Sequence, residues 1–253
     1  MLNTVEHGTP NDRPPLLIVH GLYGSARNWG VIAKRLSDER HVIAVDMRNH
    51  GSSFQSPSHS YPDMAQDLAE VIDHYGGQAD VLGHSMGGKA SMILGLTHPD
   101  KVDRMIVADI APVPYNHTQI HLVRAMQSLD LTHVEKRSDA DRLLSGFIES
   151  PSVRAFLLQS LDVAEKRWQL NLEALAENMP LVLGFPDISG SFGGNVLMLS
   201  GATSDYVLPE HRARIKELFP KAKFAKIPGA GHWLHADKPR EFEAAIRAFL
   251  NGR

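Results

Sequence analysis

Six short, near-continuous apolar runs, each ending in a polar or glycine-rich turn, recur along the chain: Leu16 to Val19, His41 to Val45, Ala79 to Leu82, Met105 to Ala108, Val196 to Leu199 and Lys223 to Ile227. They read as central strands buried on both faces. Segments of helical period separate them. Ser60 stands before Tyr61-Pro62 as an N-cap, Met64, Leu68, Val71, Ile72 and Tyr75 follow, and Gly76-Gly77 stops the helix. A second helix begins just after Ser85 and runs to about His98, before Pro99. A last one, Pro239 to Leu250, sets Phe242, Ala245, Ile246 and Phe249 on one face. This alternation predicts an α/β class fold with a mostly parallel sheet covered by helices on both faces.

From about Pro112 to Ile188 the rhythm breaks, with helical patterns but no convincing strand where a single helix would suffice. The stretch predicts a helical insertion, dividing the chain into a core of residues 1–111 and 191–253 and a cap of residues 112–190. Its apolar positions, including Leu122, Met126, Phe147, Phe156, Leu157, Leu161 and Trp168, read first as packing within the insert and second as the lining of a pocket beneath it. For that second role we take Met126 and Trp168, with Leu22 and Trp233 from the core, as candidate substrate-binding residues.

Composition removes several classes of function. The 253 residues can bury a large core without a metal or disulfide staple. Lys and Arg number 26 against 29 Asp and Glu, a formal charge of −3, so there is no basic field to hold a nucleic acid. The absence of Cys excludes disulfides, thiolate nucleophiles, Cys-ligated zinc and iron–sulfur clusters. No apolar run approaches the roughly 18 residues of a spanning helix, and Met1 to His7 shows no basic segment followed by an apolar one. The expectation is a soluble, cytoplasmic protein without a membrane partner; nothing specifies an oligomeric state.

The segment from Ala79 to Gly88 reads as strand, turn and helix, with Ser85 at the centre of Gly83-His84-Ser85-Met86-Gly87. It resembles a nucleophile elbow. Such a turn strains its central residue, and Gly83 and Gly87 stand where a Cβ would strike the neighbouring strand or helix. The serine hydroxyl is lifted above the sheet, and the Met86 N–H at the helix N-terminus becomes an oxyanion donor. The same residues nearly spell a phosphate loop, Gly83-x4-Gly88-Lys89, but Ala90 stands where the magnesium-binding hydroxyl belongs. Nucleotide binding is disfavoured accordingly.

A serine hydroxyl needs an imidazole to take its proton, and His232, after the last strand in the turn Pro228-Gly229-Ala230-Gly231, is the candidate among 14 histidines. The Leu22 N–H, in the glycine turn His20-Gly21-Leu22-Tyr23-Gly24, is the second oxyanion donor. His20 reads as a structural histidine, and Asp46-Met47-Arg48-Asn49-His50-Gly51-Ser52-Ser53 as loop-pinning groups. His117 and His121 show i, i+4 spacing on an expected helix, and His235 follows His232, but no third ligand accompanies them, so no metal is assigned. For the acid, Asp109 and Asp205 both lie between serine and base. Asp109 ends the strand beside the serine's; Asp205 falls one residue beyond the position three past Gly201, where Ser204 stands.

His20-Gly21-x-x-Gly24, Asp46-x-Arg48-Asn49-His50-Gly51-x-Ser53, Gly83-His84-Ser85-Met86-Gly87-Gly88 and Gly229-x-Gly231-His232-Trp233 occur in the order of the α/β-hydrolase family, and the chain resembles that family over nearly its whole length. Asn49, Lys89 and His232-Trp233-x-His235-Ala236 are similar to its YbfF-like and abhydrolase-domain-11 esterase subgroup. In that subgroup the segment matching Asp109-Ile110-Ala111-Pro112-Val113 carries the acid, so the resemblance favours Asp109. It implies a serine acyl esterase with a helical cap. The triad needs no cofactor, and the substantial cap with its bulky side chains, which should restrict the pocket, predicts a small-molecule acyl ester of short to medium chain. Thioesterase, lactonase, C–C hydrolase or perhydrolase chemistry uses the same triad, and a non-catalytic binding protein is the remote alternative.

Overall fold

The computed structural model describes residues 1–252. In chain order its strands are β1 (Thr4–His7), β2 (Leu16–Val19), β3 (Val42–Val45), β4 (Ala79–His84), β5 (Val102–Ala108), β6 (Leu161–Asp162), β7 (Arg167–Trp168), β8 (Asn195–Gly201) and β9 (Ala222–Ile227). Seven of them form one sheet in the order β1-β3-β2-β4-β5-β8-β9, with only β1 antiparallel to its neighbour. Side chains alternate across it. Leu17, Val19, Ile43, Val81, Val107 and Met198 enter one buried cluster, whereas Leu16, Ile18, Ala44, Leu82, Ile106 and Leu199 enter another on the opposite face.

Helices cover both faces. The first cluster is closed by α2 (Tyr61–His74) and α3 (Met86–Thr97), the second by α1 (Gly30–Leu36) and, from the end of the chain, the helix Pro239–Asn251. Ser60 caps α2 by accepting from the Asp63 N–H, and Pro62 sits in its first turn, where its missing N–H leaves no bond unmade. Two strands depart from expectation. β1 has no counterpart among the six apolar runs: Thr4-Val5-Glu6-His7 is a half-exposed edge that pairs only with β3. β9 is not buried on both faces, because it is the opposite edge; Lys223 and Lys226 are exposed there, as suits an edge that must not recruit another strand.

Between β5 and β8 the chain forms α4 (Ile120–Ser128), α5 (Arg137–Leu144), α6 (Pro151–Leu157), the β6–β7 hairpin, α7 (Leu172–Glu177) and α8 (Met179–Leu183). This insert has its own buried cluster, built on Val123, Met126, Leu144, Leu157, Leu161 and Leu175. It is tied to the core by Asn171, which donates to Asn49 Oδ1, and by Tyr61, whose hydroxyl donates to the Val182 carbonyl. After β8 come α9 (Arg212–Leu218), β9, α10 (Leu234–Asp237) and α11 (Pro239–Asn251).

Strand order fixes where a site can form. From β2 the chain goes to β3 on one side, and β4 lies on the other, so the loops after β2 and β4 diverge and leave a crevice at the C-terminal edge of the sheet.

Candidate active site

Ser85 occupies that crevice. It has φ 52° and ψ −119°, a conformation that costs a non-glycine residue of order 1–3 kcal/mol. Two hydrogen bonds hold it there: its N–H donates to the Ala108 carbonyl at 3.0 Å, and its carbonyl accepts from the Lys89 N–H at 3.1 Å. Close packing explains the flanking glycines. A Cβ on Gly83 would lie 2.4 Å from the Gly87 carbonyl oxygen, and one on Gly87 would lie 2.4 Å from that of Val19.

Asp109 repeats the arrangement one strand over. Its φ is 53°, and its N–H donates to the Leu199 carbonyl at 2.9 Å, which turns its side chain along the sheet edge. The fully buried carboxylate accepts from the Gly201 N–H at 3.0 Å through Oδ1, and through Oδ2 from Ser204 Oγ at 2.5 Å and His232 Nδ1 at 2.7 Å. An ionised carboxylate only accepts, so His232 carries its proton on Nδ1 and presents a bare Nε2, 3.0 Å from Ser85 Oγ. Ser85, His232 and Asp109 thus form one unbroken hydrogen-bonded line. Asp205 is exposed and makes no bond to His232 among the described residues; the preceding residue, Ser204, faces the site instead.

Leu22 and Met86 line the same pocket as Ser85, and neither backbone N–H meets a protein acceptor among the described residues. Two buried imidazoles fix the Leu22 turn. His20 Nδ1–H donates to the Gly21 carbonyl while its Nε2 accepts from the Met47 N–H, and His50 Nε2 accepts from the Tyr23 N–H. Burial pushes both imidazoles below the usual histidine range, which keeps them neutral for these roles. The Asp46 carboxylate accepts from the Ala26 and Ser52 N–H groups, and Arg48 forms a two-pronged pair with Asp67, so this segment pins loops.

Three further side chains bear on His232. His84 Nε2–H donates to the His232 carbonyl at 2.9 Å; burial holds this imidazole well below its usual range, hence neutral. Tyr206 stacks on the His232 ring. Trp233 turns toward the insert and meets Phe156. Ser204 could have been sought from its spacing after Gly201, but the Tyr206 contact leaves no trace in periodicity or motif.

The pocket above Ser85 is a cavity of about 70 Å³ bounded by Leu22, Met86, Tyr115, Phe156, Tyr206 and Trp233. Met126 and Trp168 do not line it. Both are buried inside the insert, where Trp168 Nε1 donates to the Met126 carbonyl, so the packing reading applies to them. His117 lies in the loop before α4 and contacts the Tyr206 hydroxyl, so it shares no helix face with His121. Lys89 Nζ donates to the Leu183 and Gly184 carbonyls at the end of α8, and burial lowers its pKa to about 7. Its ammonium therefore caps a helix C-terminus in place of cradling a phosphate.

A strained serine after a central parallel strand, facing an imidazole from the loop after the last strand, defines the α/β-hydrolase class. Residues 14–239 match the α/β hydrolase fold family, and the chain belongs to it. Among its relatives is the sn-1-specific diacylglycerol lipase ABHD11 of Mus musculus, 40% identical over 249 residues that cover 94% of this chain and 81% of the relative. Esterase YbfF of Escherichia coli K12 is 36% identical over 95% of this chain and 94% of its own. A solved marine microorganism esterase superposes with a TM-score of 0.92 at 38% identity, covering 98% of each chain. Named esterases and lipases are thus its relatives within the family. No helix among the described residues is long and apolar enough to cross a membrane.

Proposed function

We propose that the protein is a serine carboxylesterase acting on short- to medium-chain acyl esters through an acyl-enzyme intermediate. The observation that carries this reading is the line Ser85 Oγ, His232 Nε2, His232 Nδ1, Asp109 Oδ2, with separations of 3.0 Å and 2.7 Å at its two hydrogen bonds. His232 takes the Ser85 proton as Oγ attacks the ester carbonyl carbon. Asp109 orients the imidazole and stabilises its positive charge, and the Leu22 and Met86 N–H groups receive the oxyanion. The C–O bond to the alcohol then breaks as His232 passes its proton to the departing oxygen. Water, activated by the same imidazole, cleaves the acyl-serine, and the residues named here carry every proton in the cycle.

The small volume at Ser85 supports the acyl-length assignment, since about 70 Å³ admits only a few water-sized groups. Residues 112–190 act as a cap in this reading, with residues 1–111 and 191–253 as the catalytic core, and the protein works in the cytoplasm. The test is catalytic efficiency on p-nitrophenyl esters from acetyl to palmitoyl. A maximum among the short and medium chains is expected, and a maximum at palmitoyl would contradict the restriction. Thioesters and lactones of matched acyl length, assayed alongside, separate ester hydrolysis from the other chemistries open to this triad.

A further inference from the structure

A second, larger cavity of about 430 Å³ opens beside the pocket, and the two share Gln119, Phe156 and Trp233 as common walls. The two cavities therefore adjoin along these walls, the larger one forming a groove over the insert. Tyr23, Leu122, Ile148 and Val153 give it an apolar lining, and Phe147, 60% exposed, stands along it.

We propose that this groove binds the alcohol part of the substrate, and that the preferred esters join a short acyl group to an elongated, apolar alcohol. The inference rests on the esterase reading above and adds the direction in which the ester lies. The leaving oxygen must stand within reach of His232 Nε2, because the proton taken from Ser85 is delivered there as the carbonyl C–O bond breaks. Trp233, next to His232 in the chain, is a wall of both cavities, so the alcohol carbon chain continues past it into the groove. Tyr61, Lys89 and Leu183 line the pocket itself and not the groove, and the acyl group is assigned to their side. The alcohol departs protonated and neutral along the same apolar wall that bound it.

Two ester series test this with the wild-type protein. In the first, acetate is kept and the alcohol lengthens from ethyl to octyl; in the second, ethanol is kept and the acid lengthens from acetate to octanoate. Each methylene that enters an apolar wall adds up to about fourfold in kcat/KM. The expected result is a steady rise along the alcohol series and a level or falling trend along the acid series beyond its first members. A flat alcohol series, or a steady rise along the acid series alone, overturns the groove assignment while leaving the esterase reading intact. No turnover in either series removes both. Val153→Asp and Phe147→Asp, checked for folding by circular dichroism, should each lower the octyl-to-ethyl acetate ratio about tenfold; Phe147 is exposed enough to tolerate the change. Folded variants with an unchanged ratio would also overturn the proposal.

Discussion

The phenol ring of Tyr206 lies face to face with the imidazole of His232, their centroids 3.9 Å apart and their planes 19° from parallel. An imidazolium formed in the proposed cycle would rest on an electron-rich face, an attraction of about 0.5–2 kcal/mol. The same contact holds the ring in the plane that joins Asp109 to Ser85. Tyr206→Phe keeps that face and should stay within about threefold of wild-type kcat. Tyr206→Ala should lose roughly tenfold or more. Steady-state kinetics on p-nitrophenyl acetate decide it, and equal activities in both variants would remove the stacking role.

Asp109→Asn should lower turnover about 10⁴-fold, the loss that an acid-to-amide change produces in a serine protease triad by setting the wrong imidazole tautomer. Asp205→Asn should stay within about threefold, because that side chain is exposed and does not meet His232. Ser204→Ala should fall between them, since its hydroxyl shares Asp109 Oδ2 with His232 but holds no proton in the cycle. A large loss in Asp205→Asn with a mild one in Asp109→Asn would reverse the assignment.

The contrast between Asp109 and its neighbours shows what the sequence carried and what it did not. Strands β2 to β5 were legible because burial on both faces leaves an unbroken apolar run; β1 was not, since an edge pairs on one side and keeps polar residues such as Glu6. Ser85 and His232 stood out because steric demands at the elbow and the last loop restrict residue types to narrow patterns. Tyr206 did not. Its place depends on how the loop after β8 folds, through Ser204 N–H to the Gly201 carbonyl and Thr203 N–H to the Ala230 carbonyl, and such bonds impose no period. Met126 and Trp168 misled for another reason: packing inside an insert and lining a pocket both require large apolar side chains at helical spacing.

Acid should unfold the protein early. His20, His50, His59 and His84 are all buried, and burial pushes each below the ordinary range, His59 to about 4. In the unfolded chain these groups titrate near 6.5, so between that pH and the folded value the unfolded state binds more protons. Their contribution is intact above pH 6.5 and is lost as pH falls toward 4, by roughly 3 kcal/mol for His59 alone. The urea midpoint should therefore drop steeply between pH 6.5 and 4.5. A midpoint that stays level across this interval would contradict the neutral-histidine account.

Gly87→Ala tests the packing at the elbow. Its Cβ would meet the Val19 and His20 carbonyl oxygens at 2.4 and 2.5 Å, and backbone on both sides leaves little room to yield. Destabilisation of about 1–3 kcal/mol is expected, which for a domain of this size is a fall in Tm of roughly 3–10 °C. An unchanged Tm by differential scanning calorimetry would show that the turn relaxes freely.

The most direct test of the account is covalent labelling at Ser85. The wild-type protein, treated with a fluorophosphonate, should gain one adduct by intact mass, mapped to the peptide containing Ser85, with parallel loss of p-nitrophenyl acetate turnover. Ser85→Ala should take no adduct and lose roughly 10⁴ to 10⁶ of kcat at unchanged circular dichroism. Labelling at another residue, or near-wild-type turnover in a folded Ser85→Ala protein, would contradict the proposal that Ser85 is the nucleophile.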